Sequence, residues 1–510
     1  MTLATVAARA VVGIEAVPVT VETHLSNGLP GFAIVGLPET AVRESKERVR
    51  SAILNSGLNF PERRITVNLA PADLPKSGGQ FDFAIALSIL MASGQVPDSR
   101  LDGVEVMGEL ALNGELRRIN GAVPAILAAE KTGHELVLPS ANEPERRLVG
   151  HSQAQSVGTL LAYVNHLCNG TGLAEIDTTA SLAGTKPAVS FLEVRGQIQA
   201  RRAVQIAAAG RHNLLMIGPP GCGKTLLAQN LKRLLPPLSD EEAMKVAAIR
   251  SISPQGFNGS GALERPLRAP HHSSSQASLV GGGNRGNPGE VTLAHRGVLF
   301  LDEFSQFKPS VLDALREPLE SGEVTVSRAN YRISYPADFQ LVAAMNPCPC
   351  GYTTDPNHDC LCSADKVRRY QNRLSGPLLD RIDVVVELAS LTHAELLQQD
   401  SVVTDYQQEW RQASERIAQC HDRQKVRSGR LNYALGTDEL ETYCPLSKPL
   451  RKRLASTMDQ LRLSARAVHR IIKVARTVAD FEDCAAIKQE HLLEAIAYRR
   501  SAGANEIIQT

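Results

Sequence analysis

Three patterns of apolar and polar positions follow one another along the chain. In the first 168 residues short β-like runs, among them Gly31-Phe-Ala-Ile-Val-Gly-Leu and Ile65-Thr-Val-Asn-Leu, alternate with helical runs. One helical run spans Thr40 to Ser56, where Arg43, Glu44, Lys46, Glu47 and Arg48 leave an apolar stripe at the 3.6-residue period. This predicts an α/β or α+β domain over residues 1–168. Residues 169–190 are dominated by Gly, Thr, Ala and Ser around Pro187, without strong periodicity, which is the composition of a linker. Regularity resumes near Phe191, where a helical run from Gly196 to Ala209 leads into the apolar strand Asn213-Leu-Leu-Met-Ile. A βαβ core is expected over 191–390, followed by a helical domain over 391–510, clearest from Gln398 to Gln419 and from Ala465 to Phe481.

Length and composition refine this mainly by exclusion. A chain of 510 residues is too long for one ordinary core. With 43% hydrophobic and 21% charged residues, wholesale disorder is excluded. Lys plus Arg total 55 against 54 Asp plus Glu, so any site for a polyanion must be local. The start of the chain lacks a basic region, Arg9 and Glu15 interrupt its apolar stretch, and no uncharged run of about 18 apolar residues occurs. A cytoplasmic protein with no membrane association is expected. Nine cysteines, an odd number spread over a long chain, point to reduced thiols and a metal site rather than disulfides.

The strongest chemical signal is Gly218-Pro219-Pro220-Gly221-Cys222-Gly223-Lys224-Thr225, set between an apolar strand and the helix-forming Leu226-Leu-Ala-Gln-Asn-Leu-Lys. Strand, glycine loop and helix in that order form a phosphate cradle, in which backbone N–H groups turn inward and the helix adds its positive end. Lys224 is then the cation for the β and γ phosphates of ATP, and Thr225 a hydroxyl ligand of Mg²⁺. Cys222 reads as a small spacer beside phosphate, whose oxidation would block the site. Some 75 residues on, Gly297-Val-Leu-Phe-Leu-Asp302-Glu303 ends an apolar strand in two carboxylates. Asp302 suits the Mg²⁺ shell and Glu303 the attacking water. Asn346, at the end of the next apolar run, is either a second water-holding group or a turn former before Pro347.

Together these residues resemble the AAA+ ATPases. The resemblance sharpens to the magnesium-chelatase-like branch and its bacterial competence members through Gly31-Phe-Ala-Ile-Val-Gly-Leu, Ala269-Pro-His-His-Ser, Asn346-Pro-Cys-Pro-Cys-Gly and Ser375-Gly-Pro-Leu-Leu-Asp-Arg-Ile-Asp. It implies that Asn346 is the sensor-1 residue and that Arg381, otherwise a surface ion-pair former, is an arginine finger reaching a neighbouring subunit's γ-phosphate. A homo-oligomeric ring, expected to be a hexamer, follows. In Leu463-Ser-Ala-Arg466-Ala-Val-His-Arg470 the resemblance makes Arg466 the sensor-2 residue, with Arg470 one turn later as the alternative.

Gly322-Glu-Val-Thr-Val-Ser-Arg328-Ala-Asn-Tyr331-Arg332-Ile-Ser-Tyr reads as two alternating β runs around a polar tip, hence a hairpin. By itself it is a surface hairpin. The family places a pre-sensor-1 hairpin here, pointing into the ring's pore, with Arg328 and Arg332 on DNA phosphates, Tyr331 stacking on a base, and Arg285 on a second flexible loop.

Cys348-Pro-Cys350 and Cys360-Leu-Cys362 cluster in a loop rich in Pro, Gly and Asp. Four thiolates suit a closed tetrahedral Zn²⁺ site. His358 is a competing ligand, and four unligated thiols are the other alternative. The first domain resembles the Lon-protease fold in Gly108-Glu-Leu-Ala-Leu-Asn-Gly-Glu-Leu-Arg-Arg-Ile-Asn-Gly and Val137-Leu-Pro-Ser-Ala-Asn, but lacks its serine–lysine dyad. Gln80 follows Lys76-Ser-Gly-Gly where the serine belongs, Val123 stands at the lysine position, and adjacent Lys76 and Ser77 point differently. A binding or assembly module is expected. The full expectation is a ring-forming, ATP-driven DNA motor acting on single-stranded and branched DNA, a branch-migration helicase of natural transformation. A chelatase-type motor is the alternative, and an ATP-dependent protease is disfavoured by Gln80 and Val123.

Overall fold

The structure is a computed structural model. It describes residues 3–500 apart from 37–41, 43, 75, 77, 151, 174–189, 258–263, 284–285, 328–331, 356–357, 391–402 and 462. Most of the expected linker, together with Ser77, Arg285, Arg328 and Tyr331, therefore lies outside the described residues.

The N-terminal unit is built on a seven-stranded mixed sheet. Its order is Gly31–Val35, Arg64–Ala70, Glu15–Ser26, Leu3–Val12, Val104–Val106, Glu135–Pro139, Gln155–Val157. The long central hairpin pairs Leu3 with His24 and Val12 with Glu15 in antiparallel register. It turns at Gly13, whose φ of 63° is a conformation glycine adopts without strain. Helix Asp82–Ala92 is buried at every position, as expected of a sequence apolar on all sides. Its one carboxylate, Asp82, is satisfied by Arg48 Nε at 2.7 Å and by the Ser45 hydroxyl. The amphipathic run read from Thr40 begins its helix at Ser45 and ends at Asn55.

The second sheet is entirely parallel, in the order Leu267–Arg268, Val298–Leu301, Gln340–Met345, Leu214–Ile217, Val384–Glu387. Every residue of its three central strands is buried. These sequences are accordingly near-continuous apolar runs, because helices cover both faces of a parallel sheet. The strand carrying the glycine loop is separated from the strand carrying Asp302 by the strand that leads to Asn346. Between those last two in sequence the hairpin Glu323–Ser327 and Arg332–Pro336 is inserted, with Ser327 paired to Arg332.

Helices Val403–Ser428, Lys448–Leu461, Ala465–Phe481 and Gln489–Arg500 form most of the C-terminal region. One apolar cluster joins them to helix Ile198–Gly210 and to one face of the parallel sheet. Within it Trp410 stacks on Phe191 at 5.9 Å.

The N-terminal unit docks on the parallel-sheet unit at two places. The Gly121 N–H donates to Ser251 O at 2.8 Å and the Val123 N–H to Ser251 Oγ at 3.2 Å. Val123 is fully buried in a cluster with Ala247, Ala248 and Phe257. At the second place the turn at Gly13 rests on the inserted hairpin, where a Cβ on Gly13 would lie 2.9 Å from Ile333 Cγ2.

Candidate functional site

The polar groups singled out by sequence meet at the C-terminal ends of the parallel strands, where open α/β sheets bind their ligands. Helix Lys224–Leu234 starts directly from the glycine loop. Lys224 is almost completely buried, and its Nζ donates to Gly218 O at 2.7 Å, Pro219 O at 2.8 Å and Asn346 Oδ1 at 3.2 Å. Burial holds its pKa below the usual lysine value, because desolvation penalises the charged form. An anion entering the loop offers that ammonium a better partner than carbonyl dipoles. Thr225 Oγ1 lies 3.2 Å from Asp302 Oδ2, and Asp302 Oδ1 accepts from the Glu303 N–H at 2.8 Å.

Glu303 has a left-handed backbone, φ 51°, uncommon for a residue with a side chain. Its carboxylate meets His272 Nδ1 at 2.8 Å. The His272 ring lies 4.1 Å from that of His271, which pairs with the Ser273 hydroxyl. The role of His272 beside Glu303 was missed at the level of sequence. The adjacent histidines of Ala269-Pro-His-His-Ser were the available signal, but their partner could be found only by folding.

Arg381 is far from this cluster in the same chain. Its carbonyl accepts from Asn213 Nδ2 at 2.9 Å, just before strand Leu214–Ile217, whereas Gly218 follows that strand. Four residues at ~3.3 Å each put ~13 Å between the two ends. The guanidinium bonds Pro377 O at 2.7 Å and pairs with Glu320, leaving its buried Nε without a hydrogen-bond partner among the described residues. Arg470 joins this second locus. It pairs with buried Asp383 and donates to Arg381 O at 3.1 Å. Arg466 is exposed one turn earlier on the same helix. Burial alone would raise the Asp383 carboxyl, but Arg470, His212 and the Asn213 N–H overcome it and hold it far below the usual range.

The four loop cysteines converge. All four Sγ atoms lie within 4.8 Å of one another. Cys348 and Cys350 are 3.3 Å apart, Cys348 and Cys360 3.7 Å, and Cys350 and Cys360 3.5 Å. A tetrahedron of sulfurs around zinc at ~2.3 Å has edges of ~3.8 Å, so the set fits that ion. Burial opposes ionisation of Cys348, yet hydrogen bonds from Thr353, Cys350 and the Gly351 N–H bring its thiol down to about 6, whereas Cys362, despite a lowering hydrogen bond with the Cys350 backbone, is pushed up to about 11 by the Cys350 side chain, burial and Cys348. His358 turns away to Asp355 Oδ2 at 3.1 Å. Of the expected DNA contacts only Arg332 is described, exposed at the start of its strand.

A parallel sheet whose phosphate-loop, acidic and Asn346-bearing strands follow in that order along the chain, with the Asn346-bearing strand between the other two in the sheet, followed by a helical region, defines a P-loop ATPase of the AAA+ class. The family described as magnesium chelatase, subunit ChlI, matches residues 190–396, its C-terminal part matches 408–499, and subunit ChlI of Mg-chelatase matches 21–142. The chain belongs to this magnesium-chelatase family, in the branch of ComM and YifB. It is 46% identical over 504 residues to the competence protein ComM of Haemophilus influenzae, covering 98% of each chain. It is 44% identical to the uncharacterized protein YifB of Escherichia coli, covering 98% of this chain and 97% of that one. The 38 kDa magnesium-chelatase subunit of Rhodobacter capsulatus is 28% identical over 196 residues, 35% of this chain and 55% of that one. Among the described residues no helix is long and apolar enough to cross a membrane.

Proposed function

We propose that this chain is a ring-forming ATP-driven DNA motor that moves branch points during competence-related recombination. The observation that carries the ATPase half is the convergence of Lys224, Thr225, Asp302 and Asn346 at one sheet end, with Glu303 beside them. In this reading the loop Gly218–Thr225 cradles the triphosphate and Lys224 neutralises the β and γ oxygens. Thr225 and Asp302 offer adjacent oxygens suited to Mg²⁺, which would draw charge from the β and γ phosphates when bound. Glu303 takes the proton of the attacking water, and Asn346 helps hold that water. Release of Glu303 from His272 frees the carboxylate, since an accepted hydrogen bond lowers basicity.

The ring rests on Arg381. Held at the far end of its own strand, it serves a neighbour's nucleotide, an effect worth about 10³–10⁵ in rate where such fingers are known. Arg470 shares that locus and fixes the Asp383 corner, while Arg466 is free to reach a phosphate. The Cys348, Cys350, Cys360 and Cys362 sulfurs would hold a structural Zn²⁺. DNA enters through likeness to a competence protein, with the inserted hairpin and the loop at Arg285 as contacts. In the N-terminal unit, read as Lon-like, Val123 belongs to a docking face. The test is branch migration of a three- or four-stranded DNA by purified protein with ATP. Migration is expected with parent protein and absent with Glu303→Gln; no migration by an ATP-hydrolysing parent contradicts the DNA half. The partial match to a chelatase subunit supports the second reading, a metal-insertion motor, which predicts ATPase activity indifferent to DNA.

A further inference from the structure

The cysteine loop and the phosphate loop touch. Gly351 has φ 92°, and a Cβ built on it would lie 2.7 Å from Pro220 Cδ and 3.0 Å from Pro220 Cγ. That is closer than real Cβ contacts allow, so the backbone at Gly351 packs directly on the second proline of the glycine loop. The same short stretch is held from every side. The Gly351 N–H donates to Cys348 O at 3.0 Å and to Cys348 Sγ at 3.2 Å. Gln371 Nε2 donates to Pro347 O at 3.3 Å. Asn346, two residues before Cys348, accepts from Lys224 Nζ.

The remainder of this loop has little core of its own. Leu361, between the last two cysteines, is 91% exposed, and of residues 353–363 only Asp355 is buried among those described. A segment that buries so little apolar surface cannot offset its ordering entropy by packing. Its shape depends on what the four sulfurs hold.

We propose that the metal-loaded cluster of Cys348, Cys350, Cys360 and Cys362 is a strut of the nucleotide site: it sets Gly351 against Pro220 and Asn346 beside Lys224, so that metal occupancy sets nucleotide affinity. The inference rests on reading the cluster as a metal site and the glycine loop as an ATP site. Gly351 and the cysteines are positioning residues in this scheme and touch no substrate. The coupling runs through a packed contact and a hydrogen bond, the kind of contiguous path that carries energy between neighbouring sites.

The test uses the full chain and a fluorescent ATP analogue, with zinc content measured on the same samples. Stripping the metal with a chelator, or Cys360→Ser, should weaken analogue binding about ten-fold, an ordinary coupling between two sites. Zinc returned to the stripped parent should restore it. Gly351→Ala is the discriminating variant: it keeps all four sulfurs and about one zinc per chain, yet should lose a similar factor in nucleotide affinity that added zinc does not restore. Lys224→Ala serves as the control for the ATP site, and if it binds the analogue normally the reading of that site fails instead. The strut is overturned if the stripped parent binds as tightly as the loaded one, if Gly351→Ala binds like the parent, or if the parent carries no metal and binds nucleotide all the same.

Discussion

The two α/β units of this chain treat their polar residues in opposite ways. At the C-terminal strand ends of the parallel-sheet unit the charged side chains keep spare bonding capacity: Lys224 is held by carbonyls that a phosphate can replace, and Asp302 and Glu303 are exposed. In the N-terminal unit the described buried carboxylates each pair with an arginine. Arg9 is locked to Glu105, Arg48 to Asp82, and Arg118 to Glu145. A site that must exchange partners during a reaction keeps weak ones at rest. A framework does the reverse. On the proposed reading the contrast places chemistry in one unit and docking in the other, and each half can be broken separately.

The largest effect is expected at Glu303. Glu303→Gln should lower ATP turnover by about 10²–10⁴-fold while retaining nucleotide binding, as measured by a steady-state ATPase assay beside equilibrium binding. Normal turnover would move the catalytic base elsewhere. The corresponding break in the framework is Val123→Asp. An unpaired carboxylate buried against Ala247, Ala248 and Phe257 should cost ~3 kcal/mol or more. Thermal melting should show the N-terminal unit unfolding apart from the remainder, and a single unshifted transition would contradict the docking role.

Asp383 gives a smaller effect with a defined pH dependence. Its carboxyl is depressed in the folded chain, so its stabilisation is fully present above the ordinary aspartate value of ~4 and is lost as pH falls toward the folded value. Asp383→Asn should lower the melting temperature at pH 7 and flatten its decline below pH 4. Parallel acid limbs for parent and variant would remove Asp383 from that role. The smallest effect belongs to the hairpin: Arg332→Ala should weaken DNA binding at all sequences and reduce the slope of log affinity against log salt by about one unit. An unchanged slope puts the DNA path elsewhere.

What could be read beforehand follows the same division. The proposed ATP site was legible because its parts are short contiguous strings whose chemistry requires fixed spacing, as in Gly218–Thr225 and the apolar run ending at Asp302. The buried central strands were legible for a related reason, since residues covered on both faces must be apolar throughout. Contacts between distant segments were not. Nothing local marks Ser251 as the partner of Gly121, Glu320 as that of Arg381, or Pro220 as the neighbour of Gly351, because each pairing depends on chain reversal across other elements. Val123 shows the limit clearly. The Lon-like resemblance leads one to expect only the absence of a lysine there, and nothing local marks its burial against Ala247, Ala248 and Phe257.

The central claim is that one chain's ATP site is completed by another's Arg381, and mixing two inactive variants tests it most directly. Arg381→Ala has an intact glycine loop but no finger, and Lys224→Ala has the finger but no working loop. Combined under conditions where subunits exchange, they should regain ATP hydrolysis, because some interfaces then pair an intact loop with an intact Arg381. If exchange is demonstrated and every mixture stays as inactive as its components, Arg381 does not act across a subunit boundary and the ring account is wrong.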